Sequence, residues 1–252
     1  MPLATLPELW TNALDSVVAE ALDEAGVAAP PVDAIALARA LGAIVAVDGR
    51  LRERARHKSL RGRASAIFLK PDPRPERLQW AAAHELGEMH AWKVFGRATI
   101  PDEGEPSPRL REGVANLLAA RFLLPGTWFP RDADALRGDV LELKAIYRTA
   151  SHELIAMRLL DLPLPTVVTI FDQGRLTRRM ANQPGRLPRP QPLERECRQE
   201  IRRRARPVEL SDRRLRVQGW PIDEPGWRRE ILRTIPAGDW DDDAASDGEF
   251  EE

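Results

Sequence analysis

The stretch Gln79-Trp-Ala-Ala-Ala-His-Glu-Leu-Gly-Glu-Met-His90 carries the spacing His-Glu-x-x-Glu within a segment that predicts a helix, beginning near residue 75 and running past residue 92. Successive helical residues turn by about 100°, so His84 and Glu88 differ by only about 40° and point the same way. The two side chains can therefore share one metal ion. The stretch differs at one position from His-Glu-x-x-His, in which two histidines hold zinc and the glutamate acts on water.

Three neighbours of this pair also have expected roles. Glu85 is offset by one residue, which suits a group that reaches water beside the metal without binding the metal. A zinc ion lowers the pKa of water that it holds to about 7, and a carboxylate placed nearby can then take the proton. Gly87 leaves room beside the metal or for a crossing helix. His90 is turned about 240° from His84 and is not expected to be a ligand.

A third ligand must come from elsewhere, because a catalytic zinc keeps three protein ligands and one open position. The best candidate is Glu112, at the start of a second predicted helix at residues 110–124 that stops at Pro125-Gly126. Asn116 lies one turn further along the same face. Its amide is a candidate for a hydrogen bond that orients a ligand.

Each of these residues also has a simpler interpretation. A His-Glu pair arises by chance, and His152-Glu153 is a second one in this chain. Glu88 alone fits a solvated surface carboxylate. Glu112 alone fits the preference of acidic residues for a helix amino terminus. The motif by itself leaves a metal site and an ordinary helix surface both open.

Four segments, in order, resemble the ImmA/IrrE family of metallopeptidases. The first is residues 64–69, which match the strand before the motif helix, and the second is residues 80–88, the motif helix itself. The third is residues 112–125, which look like the family signature Glu-x-x-Ala-Asn followed by Phe-Ala and Leu-Leu-x-Pro. The fourth is residues 143–151 with Arg158-Leu159. The resemblance covers roughly residues 10–165. Together the segments are much more specific than any one of them.

The resemblance implies an α+β fold, with a mostly helical zincin-like metallopeptidase domain that contains a small β-sheet. It implies that His84 and Glu112 are metal ligands and that Glu85 is the catalytic base. Members of the family are cytoplasmic endopeptidases, and several cleave helix-turn-helix repressors that silence mobile elements or stress-response genes. The family pattern has histidine where this chain has Glu88.

The change at Glu88 is chemically tolerable. Carboxylate oxygen binds zinc at about the same distance as imidazole nitrogen, and one histidine with two carboxylates also suits manganese. We therefore expect Zn²⁺, or alternatively Mn²⁺. Two ligand carboxylates neutralise a divalent ion, so we expect weaker zinc affinity and a higher optimum pH than at a two-histidine site.

Two functions remain open from the sequence. The first is an active metalloendopeptidase that cleaves a protein, by resemblance a helix-turn-helix repressor. The second is a catalytically degenerate member of the family that acts as a regulatory protein-interaction module. Retention of both Glu85 and Glu112 favours the enzyme, because a binding module has no chemical need for the base.

Composition limits which other classes of function and location are expected. A net charge of −1 gives no overall attraction to nucleic acid or to a membrane. Acids lie beside the run Arg202-Arg-Arg-Ala-Arg206, which favours a solvated helix face over a nucleic-acid patch. The single cysteine, Cys197, excludes an internal disulfide framework and has no partner that suggests a nucleophile. No apolar run reaches membrane-spanning length, and the amino terminus carries acids rather than a signal pattern, so a cytoplasmic location is expected.

The chain divides by pattern into three parts. Residues 1–165 form the metallopeptidase-like domain, with two helices in residues 6–47, strands at 44–47 and 64–69, and helical spacing over 135–160. Residues 166–238 form an extension with a strand at 166–171, a returning strand at 175–180 and an arginine-rich segment. Residues 239–252 are acidic and predicted to be disordered.

Three further side chains have the chemistry for a role in the site. Tyr147 is a candidate donor to a developing oxyanion, but its place in a helical apolar pattern favours core packing. His57 and His152 are expected to be ordinary surface or capping residues.

Overall fold

The computed structural model describes residues 8–59, 65–98, 105–224 and 226–237. These residues form two compact units that divide between Arg158 and Leu159, here called the N-terminal and C-terminal units. The fold is α+β, as predicted, since helices and two separate sheets both contribute. None of the helices in the described ranges combines the length and the apolar character needed to span a bilayer. The predicted disordered tail at 239–252 lies outside the described residues.

The N-terminal unit is mostly helical and has a three-stranded sheet of order β1-β3-β2, in which β1 runs parallel and β2 antiparallel to β3. Its elements are α1 (Glu8–Glu24), α2 (Ala34–Ala40), β1 (Ala43–Val47), β2 (Ala55–Ser59), β3 (Ser65–Leu69), α3 (Pro75–Arg97), α4 (Pro108–Leu123), α5 (Phe129–Ala135), α6 (Val140–Ile146) and α7 (His152–Arg158). The motif helix α3 and the second helix α4 pack directly against each other.

Local signals explain where α3 and α4 begin. Both helices have proline at the first position, where the missing N–H has no helical partner to lose. In α4 the Ser107 hydroxyl also accepts a hydrogen bond from the Leu110 N–H, at 3.2 Å. The buried face of α3 includes Ala81, Leu86 and Gly87. These features hold the motif on a rigid, partly buried helix.

A glycine sets the approach of α3 to α4. A Cβ atom built on Gly87 would overlap the carbonyl oxygen of Ala115 and would lie 3.1 Å from the Ala115 Cα. Such contacts are tighter than ordinary van der Waals packing. Gly87 therefore allows the two backbones to cross closely, which is one of the two roles expected of it.

Two parts of the N-terminal unit differ from the simplest expectation. The basic stretch that follows residue 51 contains β2, which the sequence did not predict. The helical stretch at 135–160 is interrupted, because Arg137 and Gly138 have positive φ and Asp139 caps a new helix by accepting from the N–H of Leu141. A further break separates α6 from α7.

The C-terminal unit is an antiparallel sheet of order β5-β4-β8-β7-β6 with one helix packed on it. After a short 3₁₀ helix (Leu159–Asp161), its elements are β4 (Val167–Asp172), β5 (Arg175–Ala181), α8 (Pro192–Arg204), β6 (Val208–Ser211), β7 (Leu215–Glu224) and β8 (Trp227–Pro236). The predicted strands at 166–171 and 175–180 correspond to β4 and β5. Both bounds of β4 and the last residue of β5 differ from the prediction by one residue.

The core of the C-terminal unit lies between α8 and the sheet. Cys197 and Ile201 of α8 are fully buried against Val217 and Leu232. Gly219 lets the helix approach, since a Cβ there would lie 2.8 Å from the Cys197 sulfur. Burial raises the pKa of the Cys197 thiol to about 12, so the thiolate is disfavoured. Cys197 is a packing residue in this setting.

Buried charge also organises this unit. Glu194 is fully buried and its carboxylate accepts from both Nη atoms of Arg179, at 2.7 and 3.0 Å. The same carboxylate accepts from the hydroxyl of Thr234, at 2.8 Å. In α8 the Glu194 carboxylate also accepts from the Gln191 N–H, which closes a capping box. A buried charge bonded on several sides in this way is stable only while its partners stay in place.

Asp172 forms a second charged centre at the end of β4. Burial alone would raise the pKa of its carboxyl, but hydrogen bonds from Arg229, Thr177 and Trp227 hold that pKa below its ordinary value of 3.8. The Arg229 Nε lies 2.6 Å from one Asp172 carboxylate oxygen. The carboxylate form of Asp172 is therefore favoured in the folded unit.

Candidate metal centre

Helices α3 and α4 bring three predicted ligands together. The Nε2 atom of His84 lies 3.6 Å from a carboxylate oxygen of Glu88 and 3.7 Å from one of Glu112. One ligand atom from each of the three residues lies within 4.8 Å of the others. The His84 side chain is 19% exposed, whereas Glu88 and Glu112 are 45% and 57% exposed, so the cluster is open to solvent on one side.

Asn116 fixes which nitrogen of His84 faces the carboxylates. Its amide nitrogen donates to Glu112 Oε1 at 3.0 Å, so its amide oxygen must be the atom that lies 3.1 Å from His84 Nδ1. An oxygen accepts, so His84 Nδ1 carries a proton and donates it. The neutral ring then presents the lone pair of Nε2 toward Glu88 and Glu112. A side chain that fixes the histidine tautomer in this way is typical of metal sites.

The donor set fits a small divalent cation. Zinc holds nitrogen and oxygen ligands at about 2.0–2.2 Å, which places tetrahedral ligand atoms about 3.3–3.6 Å apart. The separations of 3.6 and 3.7 Å around His84 Nε2 are close to that value. Three electron-pair donors also face one another here, and such an arrangement is favourable with a cation among them. One histidine and two carboxylates suit zinc or manganese.

Glu85 lies beside the cluster and is largely buried, at 5% exposure. Burial, with the neighbouring charge of Glu88, raises the pKa of the Glu85 carboxyl to about 7, although His84 and a hydrogen bond from the main-chain N–H of His57 act in the opposite direction. A carboxyl with a pKa near neutrality can both accept and return a proton.

The cluster opens into a cleft of about 480 Å³. His84, Glu85 and Glu88 line it from α3, and Glu112 and Asn116 line it from α4. Strand β2 and the residues before it form another wall, and Trp80 lies one helical turn before His84. The described part of the chain thus places a potential cation site, a buried carboxylate and an open cleft together.

Comparison with solved structures finds a related fold. A structure titled "Mycobacterium tuberculosis transcriptional regulator" aligns with a TM-score of 0.64 at 18% sequence identity, over 89% of this chain and 76% of that chain. The likeness shows the fold. No family model matches the chain, and neither does any curated protein.

Three of the other side chains, His90, Tyr147 and His152, do not line the cleft. His90 is buried, and its Nδ1 atom donates to the Leu86 carbonyl at 2.9 Å. Tyr147 is fully buried and its hydroxyl donates to Asp132 at 2.8 Å. Burial, this hydrogen bond and the charge of Asp132 raise the pKa of Tyr147 far above its ordinary value. Tyr147 therefore packs in the core, as its helical apolar pattern predicted. His152 is the first residue of α7.

The sequence did not predict one wall of the site. His57 was expected to be an ordinary surface or capping residue, but it lies in β2, lines the cleft and bonds Glu85 through its main chain. The basic residues around His57 made the segment look unlike a strand. The alternation of Ala55 and His57 with charged residues is the period-two signal that could have revealed it.

Proposed function

We propose that this chain is a metal-dependent endopeptidase. His84, Glu88 and Glu112 hold a divalent ion, Zn²⁺ or alternatively Mn²⁺, and Glu85 is the general base. The observation that carries the proposal is the orientation of His84. Asn116 bonds both Glu112 and His84, and so directs the free Nε2 lone pair to the place where the two carboxylates meet.

The resemblance of four segments to ImmA/IrrE metallopeptidases supports the same assignment. The substrate that this resemblance suggests is a helix-turn-helix repressor in a stress-response or mobile-element circuit. The related fold belongs to a protein titled a transcriptional regulator, which agrees with a role near transcription.

A bound divalent ion would supply a Lewis acid that makes water more acidic and polarises the substrate carbonyl. Glu85 takes one proton from the attacking water as a new C–O bond forms. The peptide C–N bond then breaks, and Glu85 returns that proton to the departing amine, so that no proton is gained or lost overall. The hydrogen bond from the His57 main chain favours the carboxylate form of Glu85. Asn116 keeps His84 in the required tautomer throughout.

A regulatory module without catalysis is the second candidate. It is favoured by one observation, the presence of Glu88 where the family pattern has histidine. A fold shared with a transcriptional regulator is compatible with it. The two candidates differ in metal content, because only the enzyme requires a stoichiometric ion.

Metal analysis and cleavage assays separate the candidates. We expect purified wild-type protein to hold about one divalent ion per chain and Glu88→Ala to lose most of it. Glu85→Gln should keep the ion and lose about 10²- to 10⁴-fold in cleavage of a repressor substrate. Glu153→Gln is the matched control, because it alters the other His-Glu pair, and it should keep both properties. Wild-type protein without stoichiometric metal would refute the enzyme.

Glu88→His is a further test of the ligand assignment. The variant restores two histidines, so it should bind zinc more tightly than wild type. Unchanged zinc affinity and unchanged cleavage rate would show that residue 88 is not a ligand.

A further inference from the structure

One wall of the cleft is strongly basic. Residues 50–58 contain one acid, Glu53, and five cations, namely Arg50, Arg52, Arg54, Arg56 and Lys58. Glu53, Arg54 and Arg56 line the cleft, and the Arg56 side chain pairs with Glu53 but remains 61% exposed. This charge contrasts with the acidic cluster on α3 and α4.

The cations around β2 share one face of the strand. Side chains alternate along a strand, so Arg54, Arg56 and Lys58 point to one side while Ala55 and His57 point to the other. His57 is in register with Ile67 of β3, which is fully buried. The three cations are all exposed. The basic face of β2 is therefore the outer one.

The open edge of β2 has a defined pattern of main-chain groups. In the sheet order β1-β3-β2, β2 is an edge strand, and no described strand pairs with its other side. The Lys70 N–H donates to the Arg54 carbonyl across the ladder at 2.8 Å. Hydrogen-bonded and non-hydrogen-bonded pairs alternate along an antiparallel ladder, and Arg54 belongs to a bonded pair. Ala55 and His57 therefore direct their main-chain groups away from β3, to the open edge. The bond from the His57 N–H to Glu85 agrees with this.

We propose that β2 binds an extended segment of the protein substrate in which acidic residues alternate with other residues, as acid-x-acid. A segment that bonds to the main chain of Ala55 places its flanking residues opposite Arg54 and Arg56. Directly opposed side chains lie about 4.5–5.5 Å apart, close enough for opposite charges to attract. The middle side chain of the motif then points to the face that carries His57.

The identification of the occupant as a substrate rests on the proposed function, but binding can be measured without cleavage. Three labelled peptides of equal length serve as probes: one with alternating Glu, one with Gln at those positions, and one with the same Glu residues placed side by side. Fluorescence anisotropy with full-length wild-type protein in a chelator gives their dissociation constants. Two opposed charge pairs should make the alternating Glu peptide bind about 2- to 30-fold tighter than the Gln peptide.

The side-by-side Glu peptide controls for net charge and should bind less tightly than the alternating one. The preference should disappear in 1 M salt, where charges are screened beyond about 3 Å. Arg54→Glu/Arg56→Glu should abolish or invert the preference. Arg50→Glu/Arg52→Glu makes the same change in net charge outside the cleft lining and should retain it. Circular dichroism shows whether each variant is folded, and the three-peptide comparison needs no variant.

Equal binding of the three peptides, or equal loss in the two double variants, would overturn the inference. The same peptides are then offered to zinc-loaded protein. If the protein cleaves the peptides but shows neither a lower KM nor tighter binding for the alternating Glu peptide, the inference is contradicted. The endopeptidase proposal is unaffected by that result. Charge-selective binding without any cleavage supports the inference and counts against the endopeptidase.

Discussion

Gly87→Ala tests whether the crossing of α3 and α4 builds the cluster. Gly87 lies between His84 and Glu88 on α3, and its Cα faces the backbone of Ala115 on α4. Ala115 immediately precedes Asn116 and lies three residues after Glu112. A change in the spacing of the helices at this point must therefore move Glu112 and Asn116 relative to His84.

The size of the effect follows from the overlap. The new Cβ would overlap the Ala115 carbonyl oxygen and lie 3.1 Å from the Ala115 Cα, and relief to an ordinary contact requires the helices to separate by about 1 Å. Overpacking of this kind costs about 1–3 kcal/mol of unfolding free energy. For a chain of this size, that corresponds to a fall in Tm of about 2–12 °C.

Gly96→Ala is the matched control on the same helix. A Cβ at Gly96 meets nothing within 4 Å, so the substitution lacks the steric cost. Alanine also has the higher helix propensity, and the control should be neutral or stabilised by up to about 1 kcal/mol. Circular dichroism melts and urea titrations of both variants give the comparison.

Metal titration by calorimetry supplies the second measurement. Metal sites require their ligands within about 0.2 Å of the correct distances, so a separation of about 1 Å should weaken zinc binding strongly in Gly87→Ala and leave it unchanged in Gly96→Ala. Equal stability of the two variants would refute the close crossing. Loss of stability in Gly87→Ala with full zinc affinity would refute the dependence of the cluster on that crossing.

Three further predictions concern the rest of the chain. Glu194→Gln should lower the unfolding free energy by about 3–5 kcal/mol in urea titrations, because it leaves Arg179, whose side chain is only 10% exposed, without its anion. Glu196→Gln, on the exposed face of the same helix, should change that free energy by no more than about 0.5 kcal/mol. Tyr147→Phe should cost about 1–3 kcal/mol, because it removes the donor to Asp132, but it should leave peptide cleavage unchanged, since it lies in the core; a selective loss of kcat would instead make Tyr147 an oxyanion donor. The depressed pKa of Asp172 contributes stability that is present above the ordinary value of 3.8 and is lost as pH falls through the folded value, so urea titrations from pH 7 to pH 2.5 should show a smaller acid-dependent loss in Asp172→Asn than in wild type.

The helices of the candidate site could be predicted because their signals are local. Proline at the first position, a serine cap before α4 and helical spacing of apolar residues lie within each segment. The meeting of His84 with Glu112 is different, since it depends on a crossing between segments far apart in sequence. Gly87 offered room for a crossing helix and Glu112 was the best candidate for a third ligand, but only the family resemblance implied that Glu112 is a ligand.

Strand β2 was not predicted because its composition is that of an edge strand and not that of a core strand. Strand propensity depends strongly on neighbouring strands, and edge strands often carry charged residues that discourage further pairing. Arg54, Arg56 and Lys58 therefore made the segment resemble a solvated loop. The break near residue 137 does have a local signal, because Gly138 has positive φ beside Arg137 and glycine is the usual residue with positive φ at a helix end.

The glutamate at position 88 affects the charge of the cluster more than its geometry. His84 and Glu112 are both bonded to Asn116, whereas Glu88 reaches the cluster because it follows His84 by one helical turn. A histidine at 88 would project from the same place. With glutamate, however, Glu88 and Glu112 face each other across His84, and the charge of Glu88 also disfavours the ionised form of buried Glu85. A divalent ion would relieve this repulsion, and a second histidine would never create it. Glutamate at position 88 therefore makes the arrangement of the three side chains more dependent on a cation. The absence of a second histidine is for this reason a weak argument against metal binding.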